Sequence, residues 1–234
     1  MGNLEVPRPQ IASPLARLAT RQHGVVARRQ LDPLAVTAGM TRTLIARGHL
    51  IRIHRAVYAV GHARLSTLGR WMAAVLACGD GALLSHADAL ALHGCGRIPT
   101  GAVHVTARSS HRVPGVRCHV AREHSSLGPT VRDGIPVTSL ERAVLDCAPQ
   151  LTPARLAGVL ESVERRDRFD LRRFEVVLAR ANGHRGVGRL RAALADLGDD
   201  PPALRSALEA RMLELIRAAD LPVPTAASTP RRRR

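Results

Sequence analysis

Apolar positions in the first quarter of the chain change their spacing twice. Leu15, Leu18 and Ala19 recur at helical intervals until Gly24, which breaks the run. Val26 to Leu31 opens a second helical stretch, so two short helices are expected to meet across a Gly-containing turn. Asp32-Pro33 follows, and proline disfavours helical geometry at the residue before it, so that second helix is expected to be short or kinked. Thr37 suits the N-cap of a third helix, with Met40, Leu44 and Ile45 on one face and Arg42, Thr43, Ala46 and Arg47 on the other. Gly48 fits its stop, and Leu50, Ile51, Ile53, Val57, Tyr58 and Val60 are strand formers around a tight turn at His54 and Arg55. Helices followed by a hairpin, with arginines on the polar positions, are the layout of a winged helix-turn-helix, whose recognition helix enters the major groove. A small helical subdomain with a hairpin and a solvated arginine face carries the same pattern.

Beyond residue 62 the pattern turns mixed. Residues 68 to 96 read as mostly helical, with Ser85 as a cap for SHADALALHG and Asp88 three residues on. Ser85 beside His86 could suggest a nucleophile and its base, but neighbours at a helix start are expected to point apart, and a serine three before an acid is more often a cap. His93 closes that helix and reads as a partly buried or C-terminal residue. AVHVTA and GVRCHVA have strand length, and Asp133-Gly134 in TVRDGIPVT marks a turn between two short strands. Pro136 argues for an edge or a strand end. Thr138 to Glu141 forms a capping-box pattern before LERAVLDCA. After Pro149 the segments PARLAGVLESVERRD, DLRRFEVVLARAN, GVGRLRAALADLG and ALRSALEARMLELIRAADLP are helical. The glycines of NGHRGVG follow no strand, so they are turn residues and no phosphate cradle.

Charge changes this picture most. All 35 basic residues are arginine and the formal net charge is +16, which points to nucleic acid as the first partner to consider. Residues 1 to 62 hold nine arginines against two acids, so the excess is densest where the helix-and-hairpin pattern lies. Aromatic residues are limited to Tyr58, Trp71, Phe169 and Phe174, too few for stacking along a single strand, which leaves duplex DNA. Arg108, Arg112, Arg117 and Arg122 in the middle region form a second phosphate surface or, more commonly for such residues, a solvated face.

The remaining signals are mainly negative. Cys78, Cys95, Cys118 and Cys147 contain no CxxC pair, and the 11 histidines show no HxH or HExxH spacing, so no metal, cofactor or disulfide is expected and a reduced cytosol fits. The N-terminal MGNLEVPRPQIASP lacks the charged-then-apolar run of a signal peptide. No apolar run reaches the roughly 18 residues that a spanning helix needs, so no membrane role is expected.

GVVARRQL, GHLIRIHRAVYAVGH, GRWMAAVLACGDGALLSHADALALHG and VRDGIPVTSLERAVLDCA together resemble the AbiEi-type antitoxin proteins of type IV toxin-antitoxin systems, over about residues 15 to 222. The resemblance implies a winged-helix domain, an antitoxin middle region and, in many members, an endonuclease-like domain similar to very-short-patch-repair nucleases. LRSALEARMLELIRAADLPVP would be the first helix of that last domain, followed in the family by strands bearing metal-binding carboxylates. Here TAASTPRRRR follows, and Glu209 alone cannot hold two ions, so the chain is expected to be incomplete at its catalytic core and not to act as a nuclease. Ala38 and Gly39 stand where family members carry longer polar side chains, and Ala56 where the wing turn often has glycine.

The reading is thus an α+β fold with an N-terminal winged helix-turn-helix, a mixed α/β middle region and an α-helical C-terminal part. A disordered lead is expected over 1–12, the winged helix over 13–62, the middle domain over 63–150 and a helical region over 151–199. The incomplete endonuclease-like segment is expected over 200–222, with an arginine-rich tail over 223–234. Arg28, Arg29, Arg42, Thr43, Arg47, Arg52 and Arg55 are the expected DNA contacts, with Thr43 the position suited to base discrimination. The expected function is a cytoplasmic, antitoxin-like repressor that binds its operator as duplex DNA, with a nucleotidyltransferase-like toxin as a further partner. The alternatives are a very-short-patch-repair-like endonuclease and a toxin-binding module without a DNA role.

Overall fold

The computed structural model describes residues 12–121, 128–166, 169–181 and 183–199. The chain has an α+β fold, and among the described residues it contains two sheets, one of three strands and one of five. The described residues up to Leu190 form one compact unit, and a second unit begins at Arg191. The segments expected over 200–222 and 223–234, and all but the last residue of the lead, lie outside the described residues.

The N-terminal elements follow the order helix, strand, helix, helix, strand, strand. Helix α1 (Ala12–Arg21) buries Leu15 and Ala19 and ends at His23 and Gly24, both with positive φ. The next residues depart from the sequence expectation. Val25–Ala27 is a strand, β1, and only Arg28–Leu31 is helical, as α2. All three β1 residues are buried, a pattern that a run this short cannot distinguish from a helix by period. The break at Asp32-Pro33 is as expected: α2 gives way to a 3-10 turn over Asp32–Leu34, and Ala35 is left-handed. Helix α3 (Ala38–Ala46) opens at Thr37, whose side chain accepts a hydrogen bond from the Met40 amide. Strands β2 (Leu50–His54) and β3 (Val57–Val60) form the hairpin, turning at Arg55 and Ala56, one residue later than expected. The sheet order is β1-β3-β2, all antiparallel. Leu15, Ala19, Val26, Leu31, Val36, Leu50 and Tyr58 form its core, with Met40, Leu44 and Ile45 of α3 packed against it.

Helix α4 (Thr67–Ala77) explains why no seam follows residue 62. It packs against β1, β2 and β3 of the first sheet and against three strands of the second, and every residue from Trp71 to Leu76 is buried. A helix apolar on all sides belongs inside a core. Gly69 is required by that fit, since a Cβ there would lie 2.8 Å from the His23 carbonyl oxygen. Three polar contacts bind the same layers: His23 Nε2 lies 2.6 Å from the Asp133 carbonyl, and Arg29 donates to Asp80 at 2.6 Å and to the Leu76 carbonyl at 3.0 Å.

The second sheet runs β6-β5-β4-β8-β7, from β4 (Leu83–Leu84), β5 (Val103–Ala107), β6 (Val116–Val120), β7 (Thr130–Arg132) and β8 (Ile135–Val137). Strands β5 and β6 are parallel in the register Thr106 to His119. The turn at Asp133-Gly134 is as expected, with both residues at positive φ. Pro136, expected at an edge or a strand end, is the middle residue of the three-residue interior strand β8. Its missing N–H is tolerated because β8 meets β4 only at the pair Leu84 and Val137. Helices α5 (His86–Leu92), α6 (Leu140–Cys147), α7 (Pro153–Glu164) and α8 (Leu171–Arg180) pack on one another through α6, and α9 spans Val187–Asp199. The cap of α6 is Ser139, one residue beyond the expected Thr138, and it accepts from the Arg142 amide.

Candidate functional site

Two groups of side chains are set up for chemistry beyond packing. The first lies on α3 and the β2–β3 hairpin. Burial of Leu44 and Ile45 against the core turns Arg42, Thr43, Ala46 and Arg47 outward, all exposed. Arg52 on β2 and Arg55 at the hairpin tip are exposed as well. Among the described residues none of Arg42, Arg47, Arg52 and Arg55 makes an ion pair, so all four guanidinium groups present their donors to solvent. Thr43 donates its hydroxyl to the Gly39 carbonyl at 3.2 Å, which occupies that proton but leaves the oxygen as an acceptor. Ala56 holds φ +58 at the tip, the backbone position for which glycine is the unstrained choice.

Arg28 and Arg29, grouped with these from sequence, are placed differently. Arg28 pairs with Asp32 at 2.7 Å within its own turn, and Arg29 is committed to Asp80 and Leu76 at the end of α4. Arg28 thus ties α2 to the turn that follows it, and Arg29 ties α2 to the end of α4. A carboxylate partner offsets part of the charge that a phosphate would meet.

The second group was invisible in the sequence. His86 at the start of α5, His104 on β5 and His119 on β6 bring their rings together: His86 and His119 stack with centroids 3.8 Å apart, and His104 lies 5.2 and 5.1 Å from them. His119 Nε2 is 3.1 Å from His104 Nδ1. Parallel pairing places His119 opposite Thr106, so His104, two residues before Thr106, shares its face of the sheet. Separations of 18 and 15 residues match no short ligand motif. A histidine in each of two adjacent strand-length runs, VHVTA and VRCHV, was the available signal.

Acidic residues stand behind the three rings. Asp88 accepts from the Trp71 indole at 2.8 Å and from the His104 backbone amide at 2.8 Å, so it fixes β5 to α5 and α4. This is why Asp88 does not serve the cap expected of it, and Ser85 makes no side-chain cap bond. Instead His86, with φ +55, turns its Nδ1 to within 3.0 Å of Ser85 Oγ, so these neighbours meet where they were expected to point apart. Ser85 is fully buried, which removes it as a nucleophile. Asp146 on α6 pairs with Arg142 at 2.7 Å, lies 3.4 Å from His184 Nε2 and 4.0 Å from His86 Nδ1. Its Oδ2 is buried without a hydrogen-bond partner. His93, expected to be partly buried or at the helix end, is buried at the C-cap of α5, with Nε2 2.9 Å from the Thr138 carbonyl.

These surroundings set the protonation states. Burial, joined by His119, His104 and Arg142 and opposed by Asp146, pushes His86 down to about 3. Burial also lowers His104 and His119. For Asp146 burial acts upward, but the hydrogen bond from His184 and the charge of Arg142 outweigh it and hold the carboxyl below its ordinary value. Three neutral imidazoles therefore face one another beside one buried carboxylate.

No family model matches the chain, and neither does any curated protein. Among solved structures, the crystal structure of the RV2827C protein from Mycobacterium tuberculosis is similar at 20% identity and a TM-score of 0.46, covering 80% of this chain and 81% of that one.

Proposed function

We propose that this protein binds duplex DNA through α3 and the β2–β3 hairpin, acting as an antitoxin-like repressor of its own operon. The observation that carries the reading is the set of four exposed arginines without an ion-pair partner, Arg42, Arg47, Arg52 and Arg55, on a helix and the hairpin that follows it. An unpaired guanidinium is a planar donor matched to a phosphate oxygen, and four of them give backbone affinity without demanding a sequence. The element order, with a three-stranded sheet closing behind α3, supports a winged-helix role for this region. The repressor and antitoxin roles rest on the family resemblance of the quoted segments. Ala38 and Gly39 leave little side chain at the start of α3, so discrimination over random DNA is modest and Thr43 carries what there is.

Four phosphate contacts give a log-affinity slope against log salt of roughly −3.6, because each neutralised phosphate releases about 0.9 of a counterion. Titration of the full chain on its own promoter duplex measures that slope. Arg42→Ala with Arg47→Ala is expected to make it shallower by about 1.8, and to derepress a reporter driven by the same promoter. A slope near zero, or one indifferent to both substitutions, overturns the reading.

A further inference from the structure

We propose that His86, His104 and His119 together bind a divalent transition metal of the zinc class, one nitrogen from each ring, with a fourth coordination position open to solvent. The proposal is independent of DNA binding.

Geometry carries it first. One nitrogen of each ring lies within 4.8 Å of the other two, and each residue is only partly buried, so an ion has access. Zinc-to-imidazole bonds of about 2.0–2.1 Å in a tetrahedron separate neighbouring nitrogens by roughly 3.3–3.4 Å. His119 Nε2 and His104 Nδ1 already stand 3.1 Å apart, and the third ring has at most about 1.5 Å to close. The ligands come from a helix start and two paired strands, elements that hold a site more firmly than a loop does.

Ligand chemistry selects the class of ion. Three imidazoles with no carboxylate among them suit zinc, cobalt, nickel or copper, whereas magnesium and calcium take oxygen ligands. Metal-bound histidines usually donate their other N–H to a carboxylate, which fixes the tautomer. Asp146 stands at 4.0 Å from His86 Nδ1 with an oxygen lacking any hydrogen-bond partner, so its orphaned acceptor is explained by a His86 turned toward it when the metal is held. Asp88, bonded to the His104 amide, keeps β5 in place for the second ligand. Cys118 neighbours His119 in the chain but is not among the three ligands.

The full metal-free chain is titrated with cobalt(II), whose visible spectrum reports coordination, and then with zinc in competition. One cobalt per chain with the intense bands of a four-coordinate site, displaced by zinc, is the expected result. His104→Ala and His119→Ala are each expected to weaken binding by more than the roughly 10- to 100-fold that loss of an outer partner costs. His49→Ala and His62→Ala, both at exposed positions, are expected to leave it unchanged. Circular dichroism identifies any variant that does not fold, and for such a position His→Gln replaces His→Ala. No stoichiometric uptake by the unmodified chain overturns the proposal, leaving the cluster as a hydrogen-bonded imidazole stack. Uptake indifferent to both ligand substitutions, or a thiolate-to-cobalt charge-transfer band, overturns it equally.

Discussion

Replacing Asp88 with alanine removes the acceptor of two donors, the buried Trp71 indole and the part-buried His104 amide, each bonded at 2.8 Å. A buried donor left unsatisfied costs about 1–3 kcal/mol and a part-buried one less, so the two together cost about 2–4 kcal/mol. Asp88→Asn keeps a single acceptor oxygen and so loses about half of that, about 1–2 kcal/mol. The charge itself acts in the opposite sense. Burial raises the Asp88 carboxyl above its ordinary value of 3.8, against the hydrogen bonds from His104 and Trp71. A raised folded pKa means that the native state binds the proton better than the unfolded chain, so stability is lost as pH rises from 3.8 toward the folded value. The asparagine variant has no such charge, and its deficit is therefore smaller at neutral pH than in acid. Urea unfolding followed by fluorescence is well suited, since Trp71 is the single tryptophan and its indole is the affected donor. Equal losses for the alanine and asparagine variants, or a loss under about 1 kcal/mol for alanine, would refute the assignment of both bonds to Asp88.

Other substitutions test the joints of the same core. Gly69→Ala forces a Cβ to within 2.8 Å of a backbone oxygen and is expected to cost about 1–3 kcal/mol, visible as a lower Tm by calorimetry. Asp146→Ala removes the buried carboxylate that Arg142 meets at 2.7 Å and His184 at 3.4 Å, and is expected to cost about 1.5–3 kcal/mol in chemical denaturation, with no measurable loss disproving the pair. Arg29→Ala is expected to leave the salt dependence of DNA binding unchanged, since that side chain is held by Asp80 and Leu76; a slope shallower by about 0.9 would show it to be a phosphate contact instead.

Local signals in the chain were read well where one residue carries them. Thr37 as a cap, the break at Asp32-Pro33 and the turn at Asp133-Gly134 each follow from the conformational preference of the residues named. Features whose cause is distant leave no such local mark. Val26 and Ala27 fit a helix by local pattern, since nothing in VVARRQL shows that β3 waits some thirty positions on to pair with them. Pro136 suits an edge or a strand end by its own chemistry, and the one-pair contact with β4 that admits it to an interior strand has no sequence signature. The capping box at Thr138 failed by one position, since Ser139 offers the same hydroxyl with equal fitness. Exposure of Arg42, Arg47, Arg52 and Arg55 was legible from periodicity, whereas the commitment of Arg29 to Asp80 depends on a contact 51 residues away. The histidine cluster depends on the parallel register of β5 and β6, which no local pattern encodes.

Helix α4 ties these observations into one argument. Its Trp71 indole reaches Asp88, which holds the strand of His104, while the Leu76 carbonyl near its other end accepts Arg29 from α2, the helix before α3. A change that destabilises α4 therefore disturbs both the arginine surface and the histidine cluster, and loss of either property after such a change says nothing about its own residues. Surface substitutions escape this confusion. Arg42 and Arg47 project from α3 into solvent without an ion-pair partner, so their removal takes away charge and leaves the core intact. His104 and His119 offer no such separation by stability alone, because His119 Nε2 also bonds His104 Nδ1. For them the spectrum of the bound metal, which a merely structural pair of histidines cannot produce, is the measurement that isolates the site.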